Sequence, residues 1–371
     1  MLSKLNLVKA RVIDLTQWLP GPFAAQILSD LGADVVKVEP PGGDPMKTLG
    51  PKDSDGVSAW YKSYNKGKTI VTANLKDSQD SLKIQQLIKK ADVILESFRP
   101  GTLDKLGLSN KKIRELNPSI VHCALSGYGQ TGSKRLVGGH DINYMAIGGA
   151  LAYSGTSETP VNAYPPEADF SSALQSVISI LAALNRRERT KQPAYIDVSL
   201  METVMGWQSL AFTAAIRKDK EYTERGQGVL NGGAAYYQIY KTKDGRFVSL
   251  GAIEPKFWET FCATIRRPEW TKRQNETVPQ KNLIQDVRNV IGSKTLKEWE
   301  SLFQGVDCCF APILEVEEVV KDDHIMKRGI LKQIDELTIE SSYPALIDGK
   351  VQGQRDDIII SSLDKVLNDW N

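Results

Sequence analysis

Apolar and polar positions switch between two periods over residues 11–125, and the switching predicts repeated strand–helix units. Short apolar runs at 11–15, 34–38, 69–73, 92–95 and 119–125 are strand-like. Stretches 23–31, 78–90 and 111–116 carry the spacing of amphipathic helices, with a break at Arg99-Pro100-Gly101. Strands that alternate with helices build a mostly parallel sheet, whose sites lie beyond the carboxyl ends of its strands.

The middle of the chain has a different rhythm. Segments 141–153 and 169–187 read as helices, 194–198 as a strand, and a helix follows from Met201. The charged, turn-rich stretch 217–228 fits a linker, so 201–228 is expected to be a linker helix and linker. Beyond it, 235–240 and 246–251 flank Lys241-Thr242-Lys243-Asp244-Gly245, a hairpin signal. With helices expected at 256–265, 283–291 and 295–303, residues 229–320 form a smaller α+β domain.

A length of 371 residues suits two domains, and a 41% hydrophobic content suffices for a large core. The formal net charge is +2, from 47 basic and 45 acidic side chains, which argues against a dedicated nucleic-acid binder. An anionic ligand must then be held by local cations. The spacing of Cys123, Cys262, Cys308 and Cys309 is not that of a metal site, and all four are expected to be reduced core residues. Met1-Leu2-Ser3-Lys4-Leu5 begins no leader-like apolar region, and no run approaches the ~20 apolar residues of a membrane span. A cytoplasmic protein is expected.

Gly127-Tyr128-Gly129-Gln130-Thr131-Gly132 matches a dinucleotide fingerprint after a strand. That fingerprint also needs an apolar helix at once and an acidic residue ~20 positions on. Here Ser133–Gly139 continues as loop and Gly149-Ala150-Leu151-Ala152 carries no carboxylate, so nicotinamide or flavin binding is not expected.

Three histidines leave each open to judgement. His122 lies in an apolar strand and reads as a satisfied core residue; His324, in Lys321-Asp322-Asp323-His324, reads as a solvated helical face. His140 follows Gly138-Gly139 and precedes Asp141 at a helix entrance, where free N–H groups can stabilise an oxyanion. It is equally a loop residue beside an N-cap. Asp169 stands at the mouth of another helix, as a plain cap or as a functional carboxylate, and Glu254 ends an apolar strand, orienting an imidazole or merely opening the next helix.

Several longer motifs bear on these choices. Gly139-His140-Asp141-Ile142-Asn143-Tyr144, Gly232-Gly233-Ala234-Ala235-Tyr236-Tyr237, Asp244-Gly245-Arg246-Phe247, Gly251-Ala252-Ile253-Glu254-Pro255 and Asp307-Cys308-Cys309-Phe310-Ala311-Pro312 resemble those of alpha-methylacyl-CoA racemases. Gly21-Pro22-Phe23-Ala24-Ala25, Leu31-Gly32-Ala33-Asp34-Val35-Val36-Lys37-Val38-Glu39 and Ser97-Phe98-Arg99-Pro100-Gly101 resemble the wider family III CoA-transferase (CaiB/BaiF-type) superfamily. The resemblance implies an α/β fold: a Rossmann-like large domain over 1–200, completed by 330–371, in an interlocked homodimer whose active sites draw on the large domain of one subunit and the small domain of the other.

The resemblance also implies chemistry: inversion at the α-carbon of a 2-methylacyl-CoA by proton removal on one face and delivery on the other. His140 and Asp169 would be the two acid/base groups, Glu254 the carboxylate that fixes the imidazole tautomer, and the Asp141 backbone N–H the donor to the thioester oxygen. Ordinary values of about 6.5 and 3.9 leave a gap that burial of the carboxylate would narrow. Arg99, Lys105, Lys76 and Lys66 would meet the CoA phosphates, and Tyr144 would line the pocket near the thioester or pack the core. CoA is part of the substrate; no further cofactor and no metal is implied, nor a nucleic-acid or membrane partner. Two stretches lean elsewhere: Val12-Ile13-Asp14-Leu15-Thr16-Gln17 and Glu39-Pro40-Pro41-Gly42-Gly43-Asp44-Pro45 look as much like the CoA-transferases, and Tyr164-Pro165-Pro166-Glu167 replaces an Asn-containing apolar run. In a CoA-transferase, Asp169 would attack the thioester and form a mixed anhydride, with no histidine base. A non-catalytic acyl-CoA-binding protein is the remaining alternative.

Overall fold

The computed structural model describes residues 9–220, 223–335 and 338–371, which fall into two compact units. The first comprises the chain up to Gly148, Tyr164–Gly206 and Asp323–Asn371; the second holds Gly149–Ala163 and Trp207–Asp322.

In the first unit the apolar runs become β1 (Arg11–Leu15), β2 (Asp34–Glu39), β3 (Thr69–Thr72), β4 (Val93–Glu96), β5 (Val121–Ser126) and β6 (Ala194–Ser199). With Ile359–Ser361 they form a seven-stranded sheet in the order Ile359–Ser361, β3, β2, β1, β4, β5, β6. Every ladder in it is parallel. The strand order reverses between β1 and β4, which opens the crevice where doubly wound sheets place their ligands. Ile13, Val36, Ile84, Leu87, Ile94 and Leu103 fill one side of this unit, joined by Leu363 and Val366 from the C-terminal helix Leu363–Asp369 and by Trp370 at its C-cap. The Trp370 indole N–H donates to Asp34 at 2.7 Å, and the Arg11 guanidinium donates to the Trp370 carbonyl at 2.7 Å.

The helix expected from 23 begins at Pro20, because a proline fits the first helical turn, where its missing N–H has no partner to lose. The single helix expected over 141–153 is two: Asp141–Ile147 and Ala150–Tyr153. Gly148-Gly149 separates them, and Gly149 sits at φ 90°, a left-handed conformation that ends a helix at little cost only for glycine.

The second unit carries an antiparallel meander of Tyr237–Lys241, Phe247–Gly251 and Phe310–Pro312. The expected hairpin is present, its turn closed by Gly245 at φ 84°. Trp258, Phe261, Trp299 and Phe303 pack behind it, with Leu283 and Val287 from the helix Lys281–Ile291. Among the described residues, no helix is long and apolar enough to cross a membrane.

Candidate active site

The carboxyl ends of β1, β4 and β5 open onto a cavity of about 380 Å³ at the reversal of strand order. Its walls include Gln17 and Trp18 after β1, Ser97 and Arg99 after β4, and Ser126 and Gly127 at the end of β5. His140, Tyr144 and Asp169 complete the chemistry-bearing set.

His140 is the N-cap of the helix Asp141–Ile147. Its backbone N–H donates to the Asn143 side chain at 3.0 Å and its carbonyl accepts from the Asn143 N–H at 2.8 Å, so the main chain is fixed while the imidazole stays exposed. Helix geometry leaves the next N–H groups, of Asp141 and Ile142, without intrahelical acceptors. Tyr144 donates its hydroxyl to the Gly139 carbonyl at 2.6 Å and sets its ring against Tyr128. A Cβ on Gly127 or Gly139 would lie 2.5 or 2.9 Å from that ring, so both glycines are needed to seat it. Tyr144 therefore lines the cavity and packs against it at once. Burial first, then Tyr128 and Asp169, raises its hydroxyl to about 12.

Asp169 lies in the first turn of the long helix Glu167–Thr190, so it is not the plain N-cap that its position suggested. The cap comes from another element: the Asp141 carboxylate accepts from the backbone N–H groups of Ala168 at 2.7 Å and Asp169 at 3.1 Å. Burial, and secondarily the Asp141 charge, pushes the Asp169 carboxyl up to about 7. A carboxyl there titrates near the ordinary imidazole value of about 6.5, which suits it to give and take protons at neutral pH.

The other sequence-derived candidates are dispersed. Arg99 reaches the cavity beside Gly138, and Arg135 joins it there. Lys76 lines an adjoining cavity of about 160 Å³, with Gln17 and Phe98 belonging to both walls. Lys105 is exposed at the end of the short helix Thr102–Lys105, outside both linings. Lys66, at the end of the helix Ala59–Asn65, is held by Glu340 of the C-terminal segment at 2.9 Å and lines neither cavity. Glu254 is exposed before the helix Pro255–Thr264 of the second unit.

Three expectations need correction. His122 is buried but not satisfied: neither ring nitrogen finds a hydrogen-bond partner among the described residues, and burial pushes the imidazole down to about 4. Cys123, Cys262 and Cys308 are buried, but Cys309 is exposed. Asp141 caps its neighbour's helix rather than its own. As expected, the glycine-rich 127–132 run leads into no dinucleotide helix; instead the Gln130 N–H donates to the Asp197 carboxylate at 3.0 Å.

Sequence reasoning noted Gln17 only within a transferase-like stretch and passed over Trp18 and the pairing of the buried charges behind it. Asp14 accepts from the Thr16 N–H and hydroxyl at 2.9 and 2.5 Å and meets Lys68 at 3.4 Å. Lys37 pairs with Asp44 at 3.0 Å and donates to the Thr16 carbonyl at 2.7 Å. Burial brings Lys68 down to about 8, against the pull of Asp14. The legible signal was a lysine inside Val35-Val36-Lys37-Val38, since a charge amid an apolar strand implies a buried partner. Among the described residues, no group of three or more His, Cys, Asp or Glu side chains is placed to hold a metal.

The family model described as CoA-transferase family III matches residues 7–347. Alpha-methylacyl-CoA racemase from Homo sapiens is 34% identical over 322 residues, covering 86% of this chain and 80% of that protein. Succinyl-CoA:glutarate CoA-transferase from Homo sapiens is 29% identical over 349 residues, covering 91% and 79%. The crystal structure of a CAIB/BAIF family protein from Brucella suis superposes with a TM-score of 0.85 over 100% of both chains at 24% identity, which shows the shared fold.

Proposed function

Starting from the chain's membership of CoA-transferase family III, we propose that it is a racemase of 2-methylacyl-CoA thioesters. The observation that carries this reading is an imidazole and a carboxyl on the wall of one cavity, with the carboxyl raised to about 7. One of the two takes the proton from the α-carbon, and the electron pair left behind moves into the thioester carbonyl as an enolate. The other then returns a proton to the opposite face. The electron pair goes back to carbon, so atoms and charge balance without a co-reactant. The free N–H groups at the start of the Asp141–Ile147 helix are the proposed donors to the enolate oxygen. Glu254 is assigned the orienting carboxylate on its motif alone.

Arg99 is proposed to meet the CoA phosphates, with Lys76 beside the adjoining cavity. We assign the working form as a homodimer in the cytoplasm; Trp207, Leu210 and Ile216, at 64%, 68% and 84% exposure, are apolar surface that a second copy would cover.

A CoA-transferase is the second reading, favoured by Gln17, which belongs to the transferase-like stretch and lines the same cavity. Asp169 would then be the nucleophile. A carboxyl near 7 is about half protonated at neutral pH, so it can both take and return a proton, which a reversible proton transfer needs and an anhydride-forming nucleophile does not; the racemase reading therefore fits better. Incubation of a single enantiomer of a 2-methylacyl-CoA in heavy water separates the two. The racemase reading predicts deuterium at the α-carbon together with loss of optical purity; CoA exchange onto an added carboxylic acid without deuterium uptake would overturn it.

A further inference from the structure

Trp18 sits where few side chains tolerate the backbone: its φ is 68°, in the left-handed region. A bulky residue persists there only if its surroundings over-determine it. They do so here. The Trp18 N–H donates to Asp44 at 3.3 Å, and Asp44 is held by its ion pair to Lys37 with both side chains fully buried. Lys37 also binds the preceding turn at the Thr16 carbonyl, and Asp14 binds it at the Thr16 N–H and hydroxyl. On the other flank, a Cβ at Gly21 would come within 2.2 Å of Thr16, so the next helix packs onto the turn with no room for a side chain. The same Asp44 oxygen accepts from the Met46 N–H at 3.0 Å, and Met46 is another wall of the cavity.

This buried charge network presents a large indole to the cavity, 47% exposed and edge-on to the His140 ring with the centroids 6.5 Å apart. A substituent on a carbon that exchanges its proton with the imidazole must lie within about one side chain's reach of that indole. We infer that Trp18 is the specificity-determining residue for the acyl group, setting an upper limit on the bulk carried beside the α-carbon. The inference rests on the acyl-thioester reading above. It makes the Lys37–Asp44 pair a positioning device, acting through Trp18 and Met46 rather than on substrate.

Equilibrium binding by calorimetry tests it without relying on turnover. Trp18→Gly suits the left-handed backbone and so keeps the turn, while Trp18→Phe keeps a ring. The panel is 2-methylpropanoyl-CoA and a 2-arylpropanoyl-CoA. Trp18→Gly should shift the affinity ratio toward the aryl thioester by about tenfold or more, and Trp18→Phe should shift it less. A purely structural role would weaken both ligands alike, and an unchanged ratio in Trp18→Gly overturns the inference. The heavy-water assay runs in parallel. A shifted ratio with no deuterium uptake would condemn the racemase reading and leave Trp18 standing; uptake with an unchanged ratio would do the reverse.

Discussion

Asp169 combines two causes that act in the same direction, removal from water and the nearby Asp141 carboxylate. Both favour its neutral form, and that has a thermodynamic consequence at the level of this one residue. A carboxyl raised from 3.8 to about 7 binds its proton more tightly in the folded chain than in the unfolded one. Folding then loses stability as pH climbs between those two values, and the loss levels off above the higher. Asp169→Asn removes the titrating group. Its stability relative to the parent should rise by on the order of a few kcal/mol between about pH 4 and pH 7 and stay flat beyond. Denaturant midpoints at pH 4, 6 and 8 check this, and an equal difference at all three would show that the carboxyl is not raised. Trp18 is the other residue at which local preference yields to function. Its left-handed backbone, held by Asp44, departs from what its neighbours in sequence would dictate.

Among elements, the two helix entrances are coupled by one side chain. Asp141 opens the helix that presents His140, and its carboxylate caps the helix that presents Asp169. Asp141→Ala should therefore do two things. Loss of the cap should lower stability by about 1 kcal/mol. Loss of the neighbouring charge should lower the Asp169 pKa and move the corresponding limb of the pH–rate profile to lower pH. A stability loss with an unmoved profile would contradict the coupling. The strands and helices of the first unit were readable because their periods are local: Arg11–Leu15 and Ser78–Lys90 fall where the pattern put them. The break at Gly148-Gly149 was missed because apolar spacing continues across it while the backbone does not. The Asp141 cap on Ala168 was illegible for a different reason: it joins residues 27 apart in sequence, and no local period records such a contact.

For the molecule as a whole, strand order does most to explain why the site lies where it does. Reversal between β1 and β4 gathers three strand ends around one crevice, so that Gln17, Arg99 and Gly127 share a wall though they come from separate loops. The C-terminal segment closes the far edge of the same sheet through Ile359–Ser361, and Lys66 is spent on holding that segment at Glu340. Motif resemblance pointed to His140 and Asp169, both of which line the cavity, but could not distinguish a cavity lysine from one engaged elsewhere, because that difference lies in long-range pairing. The central claim is that two groups, one on each face, serve a single carbon. It is tested most directly by following α-proton exchange in heavy water separately for each enantiomer of a 2-methylacyl-CoA, with His140→Ala and with Asp169→Ala. The account predicts that each variant still exchanges one enantiomer, a different one for each, and that neither interconverts them. If both variants lost exchange with the same enantiomer and kept it with the other, or if either still racemised, a single base would be at work and the two-base account would be wrong.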